Sequence, residues 1–400
     1  MRPLCLVALA ALLAPGLAAQ TVPARGADDT FEIATWNLEF FGEPSQGPSD
    51  ALQLDNVAAV IEQAEIDLWA FQEVVDQTEW SQLVTRLQAL GYSGRLGPQV
   101  STSPTFDQKL AFIYNTSVVQ VIRTQPILET ADYEFGGREP FEMQANVTVD
   151  EVSRTVYIIN IHAKASTGAE DYNRRQAGAV ALKGHIDGRI ARGEEVILLG
   201  DFNDYLVGST RGGSVESPYD GFAQDSNYVL ASLPLQENFV FTFCRSASCS
   251  SGDTRDHLLF TAGLSDVYVA GSTDRYGEVL SGVNNYVSTT SDHIPVLARF
   301  SFSMTTAAED DREGRPVRLL ATAPNPSRGA AHLRFHLDAP ADVQLDVVDA
   351  LGRIVASIGG AYGPGTHAVV LDGSALAPGA YTVRLSAGGM LDVGRLVRVR

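Results

Sequence analysis

Strand-like and helical segments alternate through the first 300 residues, and this alternation directs the chain towards a mixed α/β fold. The strand-like segments are apolar and β-prone, whereas the helical segments repeat apolar residues roughly every three to four positions. Strand-like segments occupy residues 31–38, 66–74, 110–114, 156–162 and 196–199, and helical ones occupy residues 51–63, 80–90 and 171–192. This pattern predicts sheets covered by helices.

Polar side chains follow several of these strand-like segments. They supply carboxylates, amides and two histidines from distant parts of the chain. The stretches are TWNL at 35–38, FQEV at 71–74, NIHAK at 160–164, GDFND at 200–204 and SDHIP at 291–295. Open α/β sheets place their sites at the carboxyl ends of strands, so we expect these stretches to meet in one site.

The oxygen ligands in these stretches suit a hard divalent cation. Glu73, Asp292 and the Asn37 amide are the ligand types that Mg²⁺ or Mn²⁺ prefers. Such an ion polarises phosphoryl oxygens, while amides and protonated histidines bind oxygens on which charge develops. Zinc is disfavoured because the histidines form no local His-x-x-x-His pair and the cysteines lie elsewhere. The residues therefore favour attack of water on a phosphate ester.

Six segments in a fixed order carry a family resemblance. TWNLEFF, FQEV, NIHAKA, GDFND, DHLLF and SDHIP together resemble the endonuclease/exonuclease/phosphatase superfamily over residues 31–300. The resemblance implies a deoxyribonuclease-I-like fold, which is an α/β two-sheet sandwich flanked by helices, for a catalytic domain at 27–303. It also implies a metal-dependent phosphoric ester hydrolase.

The same resemblance implies roles for individual residues. Asn37, Glu73 and Asp292 belong to the metal side, with Glu73 as the principal ligand of Mg²⁺ or Mn²⁺ and with Ca²⁺ as a further candidate ion. The residues implied in catalysis and phosphate binding are His162, Asp201, Asn203, Asp256 and His293.

Within that second set the implied tasks differ. His162 holds or protonates the phosphate region, and Asp201 and Asn203 orient water and bind a phosphate oxygen. Asp256 orients His293. Either Asp201 or the His293–Asp256 pair takes the proton of water, and the sequence leaves both alternatives open.

Basic residues near these stretches are candidate substrate contacts. Lys109 occupies a position where relatives often carry a basic residue facing the site. A local basic strip is expected from Arg138, Lys164, Arg174 and Arg175, although an exposed helix face explains the last two equally well. A structural role is the preferred interpretation for His257, His185, Asp204 and Asp171.

The C-terminal part of the chain has a different sequence pattern. Residues 304–319 are predicted to be a linker, and residues 320–400 contain short alternating strands typical of a small all-β sandwich. Segments such as DALGR at 349–353 and LAPGAY at 376–381 resemble the C-terminal sorting domain of the type IX secretion system. This resemblance implies the type IX machinery as a partner, with release or surface attachment after export.

The N-terminus also predicts export. One arginine, a Leu/Ala-rich stretch and small residues indicate a signal peptide at 1–19, cleaved near Ala18 or Ala19. Cys5 would be removed with it, which leaves Cys244 and Cys249 as a candidate disulfide in an oxidising compartment. No internal apolar run approaches the roughly 20 residues that span a bilayer, so we expect no transmembrane segment.

Charge narrows the choice of function without deciding it. The chain has 48 acidic and 29 basic residues, and this balance excludes a basic field over the whole surface. We expect a secreted, monomeric phosphodiesterase, most simply an endonuclease acting on extracellular DNA or RNA. Alternatives within the same fold are a sphingomyelinase-like hydrolase of phospholipid head groups and a phosphomonoesterase. An inactive surface-binding protein is the alternative from another class.

Overall fold

A computed structural model describes residues 21–98, 107–212, 214–302, 316–323, 327, 331–349, 353–373 and 376–398. The chain divides into two compact units, residues 1–303 and residues 304–400. The predicted signal peptide at 1–19 and most of the predicted linker lie outside the described residues. No helix in the described ranges is long and apolar enough to cross a membrane.

The larger unit contains fourteen strands and eight α-helices among the residues described. Its strands are β1 (Phe31–Phe41), β2 (Leu68–Val74), β3 (Tyr92–Leu96), β4 (Lys109–Asn115), β5 (Val119–Pro126), β6 (Phe141–Val149), β7 (Val152–His162), β8 (Glu195–Asp201), β9 (Tyr228–Val229), β10 (Phe243–Cys244), β11 (Gly252–Asp253), β12 (Asp256–Thr261), β13 (Asp274–Arg275) and β14 (Val296–Phe300). Its helices are α1 (Asp50–Ala64), α2 (Gln77–Gln88), α3 (Asp132–Phe135), α4 (Ala169–Ile190), α5 (Asp220–Ala223), α6 (Leu233–Glu237), α7 (Val279–Gly282) and α8 (Tyr286–Thr289). Two short 3₁₀ turns lie at Glu129–Ala131 and Ala262–Leu264.

Two six-stranded mixed sheets form the centre of this unit. The first has the order β13-β14-β1-β2-β4-β3, and the second has the order β5-β6-β7-β8-β12-β9. Each sheet contains one parallel pair, β1 with β2 and β7 with β8, and both pairs carry predicted site segments at their carboxyl ends. The remaining pairs in the two sheets are antiparallel.

Alternation of side chains along the strands builds three apolar layers. In β1, Ile33 faces a core shared with Ile158 and Leu258 of the second sheet, whereas Trp36 faces the opposite core under α1 and α2. A third core lies between the outer face of the second sheet and α4, where Leu182 packs. The predicted two-sheet sandwich flanked by helices is therefore confirmed.

The smaller unit is all-β in its described part, as predicted. Its strands are β15 (Val317–Ala323), β16 (Ala331–Leu337), β17 (Ala341–Val348), β18 (Ile354–Tyr362), β19 (Gly365–Leu371), β20 (Gly379–Ala387) and β21 (Met390–Arg398). They form an antiparallel sheet of order β15-β16-β19 and another of order β18-β17-β20-β21. Both sheets contribute to one core, for example through Phe335 and Leu345. Strand β15 begins inside the segment predicted as linker.

Candidate active site

Strand register brings the polar segments of the two sheets together. In the first sheet Asn37 of β1 pairs with Gln72 of β2. In the second sheet Asp201 of β8 pairs with His162 of β7 on one side and with Asp256 of β12 on the other. Neighbouring strand ends thus place residues from distant parts of the chain at one edge of the sandwich.

The Asn37 side chain connects the two sheets at this edge. Its amide nitrogen donates to Oε1 of Glu73 and to Oδ2 of Asp201, both at 3.1 Å. Its amide oxygen accepts from the backbone N–H of Glu39 at 2.9 Å. In this orientation the amide nitrogen of Asn37 aligns two carboxylates. For its amide oxygen to bind a metal ion, the amide group would have to rotate by about 180°.

Backbone irregularities direct the glutamates of this region into the site. Glu73 has φ +60°, and the registers of β2 with β1 and with β4 shift beside it. Glu39 and Phe40 also have positive φ, at +50° and +52°. Left-handed backbone at non-glycine residues is sterically unfavourable, and bulges of this kind commonly redirect side chains next to active sites.

Three carboxylates lie on the metal side of the site. Burial raises the pKa of Glu39 to about 8, with a further contribution from Asp292. Burial also raises the pKa of Glu73 and of Asp292. The backbone N–H of Asp292 donates to Oε2 of Glu39 at 2.9 Å, so these groups share one region. Three buried carboxyl groups in one region offer the hard oxygen atoms that a divalent cation prefers.

A second acidic group contains histidine. Asp201, Asp256 and His293 bring candidate ligand atoms within 4.8 Å of one another, and all three residues are buried. However, Nδ1 of His293 lies 3.0 and 2.8 Å from the two carboxylate oxygens of Asp256. This histidine–carboxylate contact occupies Nδ1 of His293 and leaves its Nε2 facing the site.

The His293–Asp256 pair sets the protonation of the imidazole. Burial alone would lower the pKa of His293, but Asp256, Asp201 and Asp292 outweigh it and raise that pKa to about 10. Burial raises the pKa of Asp256 to about 6, against the stabilising effect of His293. With the proton on the imidazole, Nε2 of His293 points towards Asp201 at 3.8 Å and can donate to a bound anion.

Asp201 remains ionised within the same site. Burial would raise the pKa of Asp201, but His293, His162 and Arg255 together hold it below the ordinary value. Asn203 binds both of its oxygens, through its backbone N–H at 2.9 Å and its amide nitrogen at 3.2 Å. Asn203 adopts φ +51°, which turns its side chain back onto Asp201.

His162 lies between two acidic side chains. Its Nε2 lies 3.6 Å from Oε1 of Glu73 and 3.6 Å from Oδ2 of Asp201. Burial and then Arg138 hold the pKa of His162 well below the ordinary value. Its Nδ1 is buried, and among the described residues this ring nitrogen of His162 has no hydrogen-bond partner.

Sequence reasoning placed Arg138 only in a loose basic strip, and it did not identify Glu39. Arg138 is 7% exposed, and its guanidinium binds the carbonyl oxygens of His162 and Ala163 and the Oε1 atom of Gln108. Burial lowers the pKa of Arg138, while Glu73 and Asp201 oppose that shift. The position of Glu39 two residues after Asn37, within TWNLEFF, is a signal that could have identified it, whereas the burial of Arg138 has no local signal in the sequence.

Lys109, the predicted substrate contact, begins strand β4. It pairs across the sheet with Val74, the residue after Glu73. Its ammonium nitrogen lies 3.5 Å from a carboxylate oxygen of Asp107. The structure thus places Lys109 beside the metal side of the site, and a contact with substrate stays a prediction.

Arg175 does not lie on an exposed helix face, which was the alternative interpretation of this residue. Its side chain and that of Asp204 are fully buried, and Nη2 of Arg175 lies 2.7 Å from Oδ2 of Asp204. Arg175 also donates to the carbonyl oxygens of Lys164 and Ser166. This ion pair ties the segment after His162 to the segment after Asp201, so it supports the geometry of the site.

Replacing Arg175 by alanine is expected to lower the free energy of unfolding by about 3–5 kcal/mol, because Asp204 would remain buried without its cation. Urea-induced unfolding measures the change. The matched control is Gln176→Ala at the next position of α4, where the side chain is exposed and the expected loss is below about 1 kcal/mol. Equal stability of the two variants would contradict the structural role of Arg175.

The other residues interpreted as structural lie outside the catalytic contacts described above. His257 is buried between Ser232 and the carbonyl oxygen of Asp204. His185 lies 2.9 Å from a carboxylate oxygen of Glu142 on the outer side of the second sheet.

A disulfide joins Cys244 and Cys249 in a hairpin beside the site. The backbone N–H of Cys244 donates to the carbonyl oxygen of Asp292 at 2.7 Å. The preceding Phe243 forms a β-bridge with His293, and the two rings are 5.1 Å apart. The crosslinked hairpin therefore supports the segment that carries Asp292 and His293.

Two sequence families match the chain. The Endonuclease/Exonuclease/phosphatase family matches residues 34–293. A secretion system C-terminal sorting domain matches residues 322–398, which implies export by type IX secretion and a secreted or surface-attached protein. No curated protein matches the sequence significantly.

Solved structures resemble the fold at low sequence identity. A structure of an endonuclease/exonuclease/phosphatase from Beutenbergia cavernae is 15% identical with a TM-score of 0.55, over 92% of this chain and 100% of that chain. The human nocturnin catalytic domain is 17% identical with a TM-score of 0.47, over 69% and 95%. A protein from Bacteroides vulgatus is 15% identical with a TM-score of 0.49, over 68% and 98%. The first of these supports the observed fold.

Proposed function

Since this chain belongs to the endonuclease/exonuclease/phosphatase family, we propose that it is an exported, divalent-metal-dependent phosphodiesterase that hydrolyses nucleic acid. One observation carries the proposal: Asn37 bridges Glu73 and Asp201 across the two sheets, and the His293–Asp256 pair faces the same Asp201. In this arrangement three parts surround one point: Asp201, which would orient water, the His293 imidazolium, and the carboxylates that would bind a cation.

The proposed reaction is attack of water on phosphorus, in which a new P–O bond forms as the ester P–O bond to the leaving oxygen breaks. Asp201 holds the water and accepts its proton, since its carboxylate stays ionised beside the imidazoles and Arg255. His293 carries a proton on each ring nitrogen and donates from Nε2 to a non-bridging phosphate oxygen. Asp256 keeps that imidazole oriented. This proposal favours Asp201 over His293 as the base.

Glu39, Glu73 and Asp292, with Asn37 after a half-turn of its amide, are the residues that would hold Mg²⁺ or Mn²⁺. The ion, when bound, polarises the phosphoryl oxygen and stabilises charge on the leaving oxygen. These carboxylates offer hard oxygen donors, and burial is the main cause of their raised pKa values, with like charge between Glu39 and Asp292 adding to it.

Cations beside the site favour a polyanionic substrate. Arg138 lies behind His162 and has its guanidinium fixed by two carbonyl oxygens. Around Gly136, guanidinium nitrogens of Arg174 and Arg138 lie 3.5 and 3.8 Å from the position that a Cβ would occupy, and the Lys164 side chain lies at 3.6 Å. In an acidic protein, cations gathered at one point suit the repeating phosphates of a nucleic acid.

A panel of substrates tests this proposal. The purified chain is incubated with plasmid DNA, RNA, sphingomyelin, a chromogenic phosphodiester and a phosphomonoester, each with and without a chelator. We expect hydrolysis of nucleic acid and of the small diester, with loss in chelator and recovery on addition of Mg²⁺ or Mn²⁺. Hydrolysis of sphingomyelin or of the monoester alone would replace this function by one of the alternatives. Failure on every substrate would favour an inactive binding protein.

A further inference from the structure

A groove of about 410 Å³ opens beside the catalytic residues. It lies between the segment that follows Asn203 and the segment that follows α6. Its lining includes Tyr205, Val207, Phe239, Phe241 and Asp253. The volume falls in the lower part of the range of roughly 300–1,000 Å³ that is typical of small-molecule sites.

A short chain of contacts joins the groove to the site. Oδ1 of Asn203 accepts from Nη1 of Arg255 at 3.5 Å, and Nη2 of Arg255 lies 2.9 Å from Oδ2 of Asp253. The hydroxyl of Tyr205 donates to the other oxygen of Asp253 at 3.0 Å. One residue, Arg255, therefore separates the groove from Asn203. The groove and Asn203 thus lie on the two sides of the Arg255 guanidinium.

Two features of Phe239, which lies on the wall of the groove, are unfavourable for folding. Its side chain is 81% exposed, the largest exposure among the described large hydrophobic residues. Its backbone has φ +55° immediately beyond the end of α6, where glycine or asparagine is the usual residue. Left-handed backbone at a bulky residue and an aromatic ring in water both oppose folding. Neither the exposed ring nor the left-handed backbone of Phe239 adds stability, and its place on the wall of the groove makes Phe239 a candidate for ligand recognition.

We propose that Phe239 is a stacking platform for one nucleobase of the substrate strand, next to the scissile phosphate. This inference rests on the proposed function, and it adds a base-binding subsite to the phosphate site. Every base has a π-face, so an exposed aromatic ring binds single-stranded nucleic acid with little dependence on sequence. The groove beside the ring accommodates the base and sugar, and Arg255 lies between that position and the reacting phosphate.

The surroundings of Phe239 favour a base over a lipid surface. Its neighbours Glu237 and Asn238 are exposed and polar. In the described lining of the groove, Val207 is the other large hydrophobic residue with high exposure, at 48%. Insertion into a membrane depends on a broader apolar face, usually with basic residues around it. A single ring on a polar rim fits a stacked base instead.

The test compares Phe239→Ala and Phe239→Trp with the wild-type chain. Val180→Ala is the matched control, because Val180 is 70% exposed on α4 and is absent from the lining of the groove. Each protein is assayed on a single-stranded oligonucleotide and on a chromogenic phosphodiester without a base. We expect Phe239→Ala to lower kcat/KM on the oligonucleotide by about tenfold, the effect of losing one stacked base. Activity on the small diester should not change, and Phe239→Trp should restore the oligonucleotide activity.

A binding measurement separates this inference from the proposed function. In chelator, the oligonucleotide should quench the fluorescence of Phe239→Trp beyond the quenching seen in wild type. Absence of that quenching overturns the stacking role, even if the enzyme cleaves nucleic acid. An equal loss of kcat/KM for Phe239→Ala on both substrates also overturns it. A Phe239→Ala variant that no longer binds sphingomyelin vesicles but keeps its oligonucleotide activity would overturn it as well. If the wild-type chain cleaves no nucleic acid, the proposed function fails, and the quenching experiment still decides the subsite.

Discussion

Replacing His293 by alanine is expected to lower kcat for phosphodiester hydrolysis by about a thousandfold. In the proposed mechanism the imidazolium donates to phosphate oxygens in a buried site, and losing such a group typically costs about 10²–10³ in rate, or up to about 10⁴ when proton transfer is also lost. His293 is 5% exposed and is fixed by both oxygens of Asp256, so a water in its place would lack the positive charge and the fixed orientation of the imidazole. Hydrolysis of a chromogenic diester measures the loss.

A double-mutant cycle with Asp256 tests how the pair works. Asp256→Asn should reduce kcat less than His293→Ala, because the imidazole remains while its orientation and positive charge are weakened. The double variant should be no slower than His293→Ala alone, since Asp256 acts through His293. Unchanged thermal unfolding is the control for folding. A His293→Ala enzyme within tenfold of wild type, or fully additive losses, would contradict the assigned roles.

Replacing Glu73 by glutamine is expected to abolish most activity by weakening metal binding. The change removes one negative charge from the group that includes Glu39 and Asp292 and leaves the volume of the side chain almost unchanged. We expect the dissociation constant for Mn²⁺ to rise by at least about tenfold, the range seen when support of a metal site is lost. Calorimetric titration with Mn²⁺ measures this directly, and activity at saturating metal is the second measurement.

The matched control is Glu151→Gln, which removes the same charge. Glu151 lies before strand β7, at the end opposite to His162, and it is exposed. Its replacement should alter neither metal affinity nor rate. Equal Mn²⁺ affinity in Glu73→Gln and wild type would remove Glu73 from the metal site. Activity that survives the combination of Glu73→Gln with His293→Ala would reject the catalytic assignment as a whole.

The sequence predicted the architecture because the relevant signals are local and repeated. The apolar, β-prone segments 31–38 and 156–162 lie within β1 and β7, and the helical pattern of residues 171–192 corresponds to α4 (Ala169–Ile190). The ordered motifs then identified the family, and the family matches residues 34–293. The division into an α/β part and an all-β tail followed from the same periodicities.

The sequence predicted only some of the residues of the candidate site. Glu73 and Asp201 stand at the carboxyl ends of β2 and β8, whereas Asn37 lies within β1 and His293 lies between α8 and β14. All four belong to short motifs, so a resemblance of those motifs was enough to select them. Arg138 and Arg175 look like ordinary surface arginines in the sequence, yet both are buried. Their burial depends on carbonyl oxygens and a carboxylate that distant segments supply, and no local pattern encodes those partners.

Side-chain periodicity and motif order are properties of neighbouring residues, so they were enough to predict the strands and the chemical groups near them. The charge states and the additional residues of the site depend on how the chain folds. His293 is cationic because Asp256, Asp201 and Asp292 surround it, and Glu39 enters the metal side because left-handed backbone directs it there. Phe239 likewise became a candidate through its exposure beside the groove. Burial and electrostatic fields sum over groups that are distant along the chain, and folding alone brings those groups together.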